Sequence, residues 1–292
     1  MNYHKKNIVW LASYPRSGNT WFRIFLNNLL YHNNNPLNIN RLDLAFFAGD
    51  RNFFDEVTGV PSEDLTHEEI DHIRPEVYRY YADETDNFVF IKANDAYTYL
   101  PDGRPLFFFV SSYAVIYLIR NPLDVAVSFA HFNAIDPSRM IDLLNHRELS
   151  FCNKTAGLDN QLRQKLGSWS EHVKSWTDQT NIPVWVVRYE DMVQNKYETF
   201  MEAVYFLNLN KTPEEVKKAI DKSELSVLKK QEEKEGFIEK PMRAASFFRK
   251  GVINEGLEWF VNDEIKKVIK EHKEVLERFG YLNNNKNEIL IK

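Results

Sequence analysis

The chain of 292 residues is 43% hydrophobic and 14% aromatic, and 37 Lys and Arg stand against 42 Asp and Glu for a formal net charge of −5. These figures describe a globular chain that can bury a core, and the acidic balance excludes a general attraction to nucleic acid or to an anionic membrane, so anion binding must come from local clusters. No apolar run approaches the ~18 residues of a membrane span, the N-terminus leads into a strand pattern rather than a signal-peptide core, and the single Cys152 has no partner for an internal disulfide; together these predict a cytoplasmic protein.

In chain order, a short apolar run at Ile8 to Ala12 predicts a buried strand, and Phe22, Phe25, Leu26 and Leu29 predict a helix reaching Leu30. Asn33 to Thr66 lacks clear periodicity and is expected to be an irregular loop region, as is Pro137 to Gly157; long irregular stretches of this kind tend to be functional, and both are expected to frame an acceptor pocket. Phe88 to Ile91 and Ala114 to Ile119 predict two further strands, Pro122 to Asn133 and Trp169 to Trp176 two helices, and Val184 to Val187 a fourth strand. Glu232-Glu233-Lys234-Glu235 reads as a solvated surface. Ile265, Val268, Ile269, His272, Val275, Leu276 and Phe279 keep helical spacing up to a Gly280 stop, which makes His272 a core histidine. Strands alternating with helices predict an α/β fold, a three-layer αβα sandwich with a central, mostly parallel sheet, as one domain over 1–282 with a frayed tail over 283–292.

Between the first strand and the first helix lies Ser13-Tyr14-Pro15-Arg16-Ser17-Gly18-Asn19-Thr20-Trp21. A turn that empties into a helix N-terminus leaves backbone N–H groups unpaired, and with the helix dipole they make an anion site. Arg16, Ser17, Asn19 and Thr20 add a cation and donors, and Gly18 lets the backbone approach a phosphate. The segment is not a Walker A loop, because Asn19 stands where that motif requires lysine. Tyr14 to Trp21 instead resembles the 5′-phosphosulfate loop of the PAPS-dependent sulfotransferases of the cytosolic type, Tyr-Pro-Lys-Ser-Gly-Thr-Thr-Trp. PAPS is 3′-phosphoadenosine 5′-phosphosulfate, and the product after transfer is adenosine 3′,5′-bisphosphate (PAP).

Two later segments extend the resemblance. Tyr117-Leu118-Ile119-Arg120-Asn121-Pro122-Leu123-Asp124-Val125-Ala126-Val127-Ser128 is similar to the family's 3′-phosphate segment, which implies that role for Arg120 and Ser128. Phe247-Phe248-Arg249-Lys250-Gly251, with Gly256-Leu257-Glu258-Trp259 after a longer spacing than usual, resembles the family's Arg-Lys-Gly-x-x-Gly-Asp-Trp; the resemblance carries donor binding to Phe247, Arg249 and Gly251, with Lys250 as a helper. Trp21 and Tyr189, the latter in a segment similar to the family's Tyr-Glu-Asp-Met, offer flat faces to an adenine. Leu225 stands where relatives place an adenine-contacting Phe, and His172 matches a family position read as structural.

The implied chemistry is in-line displacement at sulfur, with Arg16 and Lys92 stabilising charge on the leaving phosphate. Phe90-Ile91-Lys92-Ala93-Asn94-Asp95 resembles the family's Lys-Thr-His segment, but Asn94 occupies the place of the catalytic histidine and is no general base near neutral pH. Asp95 as the base, His131 as the base, or an acceptor needing little deprotonation all stay open, with Asp95 preferred. Asp43, Asp50, Asp55 and Glu56 offer a cationic or nitrogen acceptor a place to bind. The expectation is therefore a PAPS-dependent sulfotransferase acting on a small-molecule hydroxyl or nitrogen, with no metal, no nucleic-acid or membrane partner, and an open oligomeric state. The rivals are a P-loop-like nucleotide kinase and a catalytically inactive nucleotide-binding protein.

Overall fold

The computed structural model describes residues 5–31, 37–42, 45–154, 159–283 and 288–289. In chain order the elements are β1 (Ile8–Ser13), α1 (Asn19–Leu30), β2 (Ala45–Phe47), α2 (Arg51–Thr58), a 3-10 turn (Ser62–Asp64), α3 (His67–Asp83), β3 (Val89–Ala93), β4 (Ser112–Ile119), α4 (Pro122–Asn133), α5 (Pro137–Leu144), β5 (Ser150–Phe151), β6 (Gln164–Lys165), α6 (Trp169–Thr177), β7 (Val184–Arg188), α7 (Tyr189–Gln194), α8 (Lys196–Phe206), α9 (Pro213–Lys222), α10 (Leu225–Glu235), α11 (Gly256–Trp259), α12 (Asn262–Arg278), β8 (Leu282–Asn283) and β9 (Glu288–Ile289).

The main sheet has the strand order β2-β3-β1-β4-β7. β1 runs parallel to β3 with Ile8 opposite Val89 and Ala12 opposite Ala93, and β2 runs parallel to β3 with Phe47 opposite Lys92. Every residue of β1 is buried, which is why its sequence is a continuous apolar run rather than an alternation. The expected α/β class with a parallel central sheet holds, and all four expected strands are present.

The chain groups into two compact units, the first made of residues 1–14, 45–117 and 147–186, the second of 15–44, 118–146 and 187–292. In the first, Trp10 meets Phe107 edge-on at 4.8 Å, and Phe107 meets Trp176 at 4.7 Å; Phe54, Ile70, Val77 and Leu162 form a separate cluster. In the second, Ile24, Leu37, Ile39, Leu228, Phe237 and Phe248 are buried together, with Trp21, Leu225 and Phe247 packed against them. Residues expected to hold donor therefore also belong to the packing of this unit.

The two regions expected to be irregular are more ordered than their periodicity implies. Asp50 accepts from the Phe53 amide to start α2, Gly59 closes it at φ 67°, and β2 and the 3-10 turn flank it. Asp136 accepts from the Ser138 amide to start α5 behind Pro137. These helices of 8 residues are set by their caps and are too short for periodicity to reveal. His272 is buried, and Gly280 follows α12 at φ 70°, both as expected. Of the expected tail, Asn283 pairs antiparallel with Glu288, whereas 284–287 and 290–292 lie outside the described residues, as do Asn33 to Asn35 and Asp43. Among the described residues no helix is long and apolar enough to cross a membrane.

Candidate functional site

The loop leading into α1 lies in the second unit from Pro15 onward. Arg16 and Gly18 both take left-handed backbone conformations, φ 72° and 98°, and α1 begins with neither a side-chain cap nor an acidic residue in its first turn. The positive end of its dipole is thus left to another anion. The Ser17 hydroxyl is fully buried without a hydrogen-bond partner among the described residues, an arrangement that costs stability unless a ligand completes it. A Cβ on Gly18 would sit 2.7 Å from Tyr189 Cδ2 and 2.9 Å from Met192 Cε, so only glycine fits there.

Around this loop the structure gathers the expected donor residues of the unit. The Arg16 guanidinium lies 4.5 Å from the Phe132 ring centre and 4.6 Å from that of Phe247, and its Nε donates to Ser128 Oγ at 3.2 Å. Arg120 lies 4.1 Å over the Tyr189 ring, donates to the Arg16 carbonyl at 3.4 Å and to the Val252 carbonyl at 3.1 Å, and keeps a buried Nε without a partner among the described residues. Burial first, then the nearby Arg120, pushes the Arg16 guanidinium down to about 10, with Glu239 opposing and Arg249 adding a smaller push in the same direction. Arg16 therefore stays charged at neutral pH, and two arginines in a partly to fully buried setting suit phosphate. Arg249 and Lys250 both pair with Glu255; Lys250 Nζ lies 2.8 Å from it. Burial resists ionisation of Glu255, but hydrogen bonds from those two cations outweigh it and hold the carboxyl at about 2. Gly251, at φ 67°, lies where any Cβ would strike Leu225, which brings those two residues together. Thr20 Oγ1 donates to Glu239 at 3.4 Å, Asn19 is buried, and Trp21 donates from Nε1 to the Ser223 carbonyl at 2.8 Å with its ring edge-on to Tyr189 at 6.0 Å.

Lys92, Asn94 and Asp95 lie in the first unit. Lys92 Nζ sits 5.0 Å from the Phe47 ring centre. Asn94 donates from Nδ2 to Gln164 Oε1 at 3.0 Å, and its backbone carbonyl accepts from His172 Nε2 at 2.9 Å. His172 is fully buried and accepts at Nδ1 from Tyr117 Oη at 2.8 Å, because Nε2 must carry the proton given to a carbonyl. Burial draws the His172 imidazole down to about 4, with the bond to Asn94 opposing, as befits the structural role expected for it. The surroundings of Asp95 are those of a buried, paired carboxylate. It is 1% exposed, its two oxygens accept from Arg74 at 3.1 and 2.9 Å, and the Lys165 amide donates to it at 3.3 Å. Its proximity to Asn94 in sequence reflects anchoring of the segment. His131 is exposed in the second unit with its ring 5.4 Å from Trp259, held toward the neutral form first by partial loss of solvation and then by Arg249. Asp50 and Asp55 each accept from a backbone amide, of Phe53 and Ser62 respectively, and Glu56 is exposed. Burial pushes the Cys152 thiol up to about 11, so it is no nucleophile at neutral pH.

The sequence model described as "Sulfotransferase domain" matches residues 6–280. The chain belongs to the sulfotransferase family. A flavonol 3-sulfotransferase from Flaveria bidentis is 23% identical over 90% of this chain and 80% of its own length. Sulfotransferase 1B1 of dog is 32% identical over 45% of this chain and 43% of its own length, so the chain spans under half the length of that relative. Mouse sulfotransferase SULT7A1 complexed with PAP shares the fold, with TM-score 0.59 and 16% identity over 95% of this chain and 88% of that one. Retinol dehydratase in complex with androsterone and PAP likewise has TM-score 0.59, with 18% identity over 97% and 86%.

Within this chain three supporting carboxylates went unassigned by sequence reasoning. Glu232 is not a solvated surface residue: it is 9% exposed and accepts from the Phe247 and Phe248 amides at 2.6 and 2.9 Å, holding the segment that leads to Arg249. Its signal was helical phase, since it follows Leu225 and Leu228 on α10. Asp124 accepts from the Asn254 and Gly256 amides at 2.9 and 2.8 Å and lies 3.8 Å from Arg120, with burial pushing its carboxyl up. Glu255 falls within the longer spacing after Gly251, which was the visible departure from the family segment. Among the described residues no cluster of His, Cys, Asp and Glu could hold a metal ion.

Proposed function

We propose that this chain transfers a sulfonyl group from PAPS to a hydroxyl or nitrogen atom of a small molecule. The observation that carries the reading is the buried Ser17 hydroxyl, without a partner among the described residues, at the uncapped start of α1, set beside the half-buried Arg16 and the buried Arg120. A polar, positively charged pocket of this kind fits phosphate groups. PAPS supplies a sulfonyl group carried on a phosphate leaving group.

Following the family resemblance, Ser17, Asn19, Thr20 and the α1 amides hold the 5′-phosphate, while Arg120, Ser128, Arg249 and Gly251 hold the 3′-phosphate with help from Lys250. Tyr189, Trp21, Leu225 and Phe247 flank the adenine. Arg249 and Lys250 meet phosphate by exchanging their pairing with Glu255. Arg16 stabilises negative charge growing on the leaving oxygen and donates no proton, since it stays a cation at neutral pH. Lys92 takes the same electrostatic task on resemblance alone. Asp95 anchors the segment behind Asn94 instead of taking the acceptor's proton. Residues 1–282 are assigned to one sulfotransferase domain, supported by the match over 6–280, and the lone Cys152 supports a reducing, cytoplasmic setting.

Calorimetric titration with PAP, run beside ATP and 5′-AMP, tests the donor reading. Tight binding of PAP alone is expected; preference for ATP, or no binding of PAP, would overturn it.

A further inference from the structure

Asn94 replaces a residue that would have acted as a base, and the structure constrains how its carboxamide is oriented. Gln164 is fully buried on β6. Its Nε2 lies 3.3 Å from the Leu162 carbonyl and 3.0 Å from Gln161 Oε1, with Cys152 Sγ at 3.9 Å. A backbone carbonyl can only accept, so the Gln164 atom facing Leu162 is the amide nitrogen and the atom facing Asn94 is the oxygen. Gln164 Oε1 in turn can only accept, so Asn94 must present Nδ2 to it, as the 3.0 Å contact has it. The usual ambiguity between amide oxygen and nitrogen is removed at both residues by one main-chain carbonyl. Asn94 is only partly buried, and its hydrogen bonds among the described residues run through Nδ2 and the main-chain carbonyl, which leaves Oδ1 to the open side. The Asn94 main chain is held as well, by His172 Nε2.

We propose that Gln164 is a positioning residue that locks Asn94 with its carboxamide oxygen turned toward the acceptor, and that this selects a neutral amine as the nucleophile. The inference rests on the sulfotransferase reading in taking position 94 to face the acceptor. Oδ1 accepts a hydrogen bond from the amine N–H and so orients the nitrogen lone pair. It takes no proton, because an amide oxygen is far too weak a base near neutral pH. An alcohol would have to lose its proton as it attacks, and this residue gives it no base. A neutral amine attacks with its proton still in place: its lone pair forms the N–S bond while the S–O bond to the 5′-phosphate breaks, that bond's electron pair leaves on the phosphate oxygen, and the nitrogen then releases its proton to solvent water.

The orientation is tested without any ligand by Asn94→Asp, with the new carboxyl titrated by carbon-13 NMR. A carboxylate facing Gln164 Oε1 can share a hydrogen bond with it only when protonated, so its pKa should lie at least one unit above the ordinary ~3.9 of aspartate. Adding Gln164→Met, which keeps an unbranched side chain of similar length, should bring it down again. A titration at or below the ordinary value, or one unmoved by Gln164→Met, would overturn the orientation. If the buried Gln164→Met change prevents folding, the side-chain amide of Asn94 in nitrogen-15-labelled unmodified protein supplies the answer: one Nδ2 proton shifted downfield and slow to exchange is expected, and two protons at the positions of a solvated asparagine, both exchanging fast, would refute the lock.

The substrate class is tested with benzylamine and benzyl alcohol as paired probes with PAPS. At least tenfold faster sulfonation of the amine is expected, with a rate that follows its free-base fraction, and Asn94→His should narrow the ratio by adding a base useful to the alcohol. Equal or faster turnover of the alcohol, or no turnover of the amine, would overturn the class. Failure of the donor reading would appear separately, as absent PAP binding, while the NMR outcome stood.

Discussion

The buried pair Arg74–Asp95 gives the sharpest test of whether Asp95 anchors or catalyses. Both side chains are 1% exposed, and Arg74 donates to both Asp95 oxygens, to Tyr78 Oη at 2.8 Å and to the Arg163 carbonyl at 3.2 Å. Burial alone would pull the Arg74 guanidinium down, and Asp95, followed by Tyr78, reverses it, so the arginine is held charged. Asp95→Ala strands that charge in the interior, with Asp71 left at 3.3 Å as partial compensation. Breaking a buried pair from one side costs about 3–5 kcal/mol, and the remaining Asp71 argues for the lower end, about 3 kcal/mol. At about 2–4 °C per kcal/mol for a chain of this size, the melting temperature should fall by about 6–12 °C. The assay is thermal unfolding followed by circular dichroism, with PAP calorimetry alongside to locate any damage. Replacing both partners, Arg74→Met with Asp95→Leu, should recover much of the loss, because no unpaired charge remains. An unchanged melting temperature, together with the loss of an ionisation from the pH profile of turnover, would refute the anchoring argument and restore Asp95 as the base.

Arg120→Ala should weaken PAP binding about 10- to 100-fold by removing charge-assisted hydrogen bonds of about 1.5–3 kcal/mol, read by calorimetry, while the melting temperature of the ligand-free protein moves less than in Asp95→Ala. Glu232→Gln leaves one of the Phe247 and Phe248 amides facing an NH₂ group, which should cost about 1–3 kcal/mol and appear as faster hydrogen exchange at those two amides together with weaker PAP binding. His172 has a folded value of about 4, below its unfolded ~6.5. Between those limits the unfolded chain binds the extra proton, so stability rises with pH across the window and is lost as pH falls from ~6.5 toward 4, by at most about 1.4 kcal/mol per pH unit. Denaturant unfolding at a series of pH values should show that slope, and His172→Gln should flatten it.

What the sequence made legible was what is local in it. The loop before α1 announces itself because strand, turn and helix start are contiguous, and the unpaired amides follow from the connection alone. β1 and β4 are continuous apolar runs because both faces are covered, a pattern visible without any partner. Asp95 invites a catalytic reading as a carboxylate next to Asn94, whereas its pairing with Arg74, 21 positions earlier, lies in a helix whose sequence gives no sign of it. Glu232 misled in the same way: an acidic run looks solvated until one carboxylate is found 15 and 16 positions from the two amides it accepts from. Even the orientation of Asn94 is decided 70 positions away, at Gln164. The rule common to these cases is energetic. A buried polar group must be satisfied by whatever the fold brings to it, and that partner is seldom a sequence neighbour. The sequence therefore identifies groups able to bind an anion or move a proton, while only the packed structure tells which of them are already spent on holding the fold and which, like the buried Ser17 Oγ, lack a partner among the described residues.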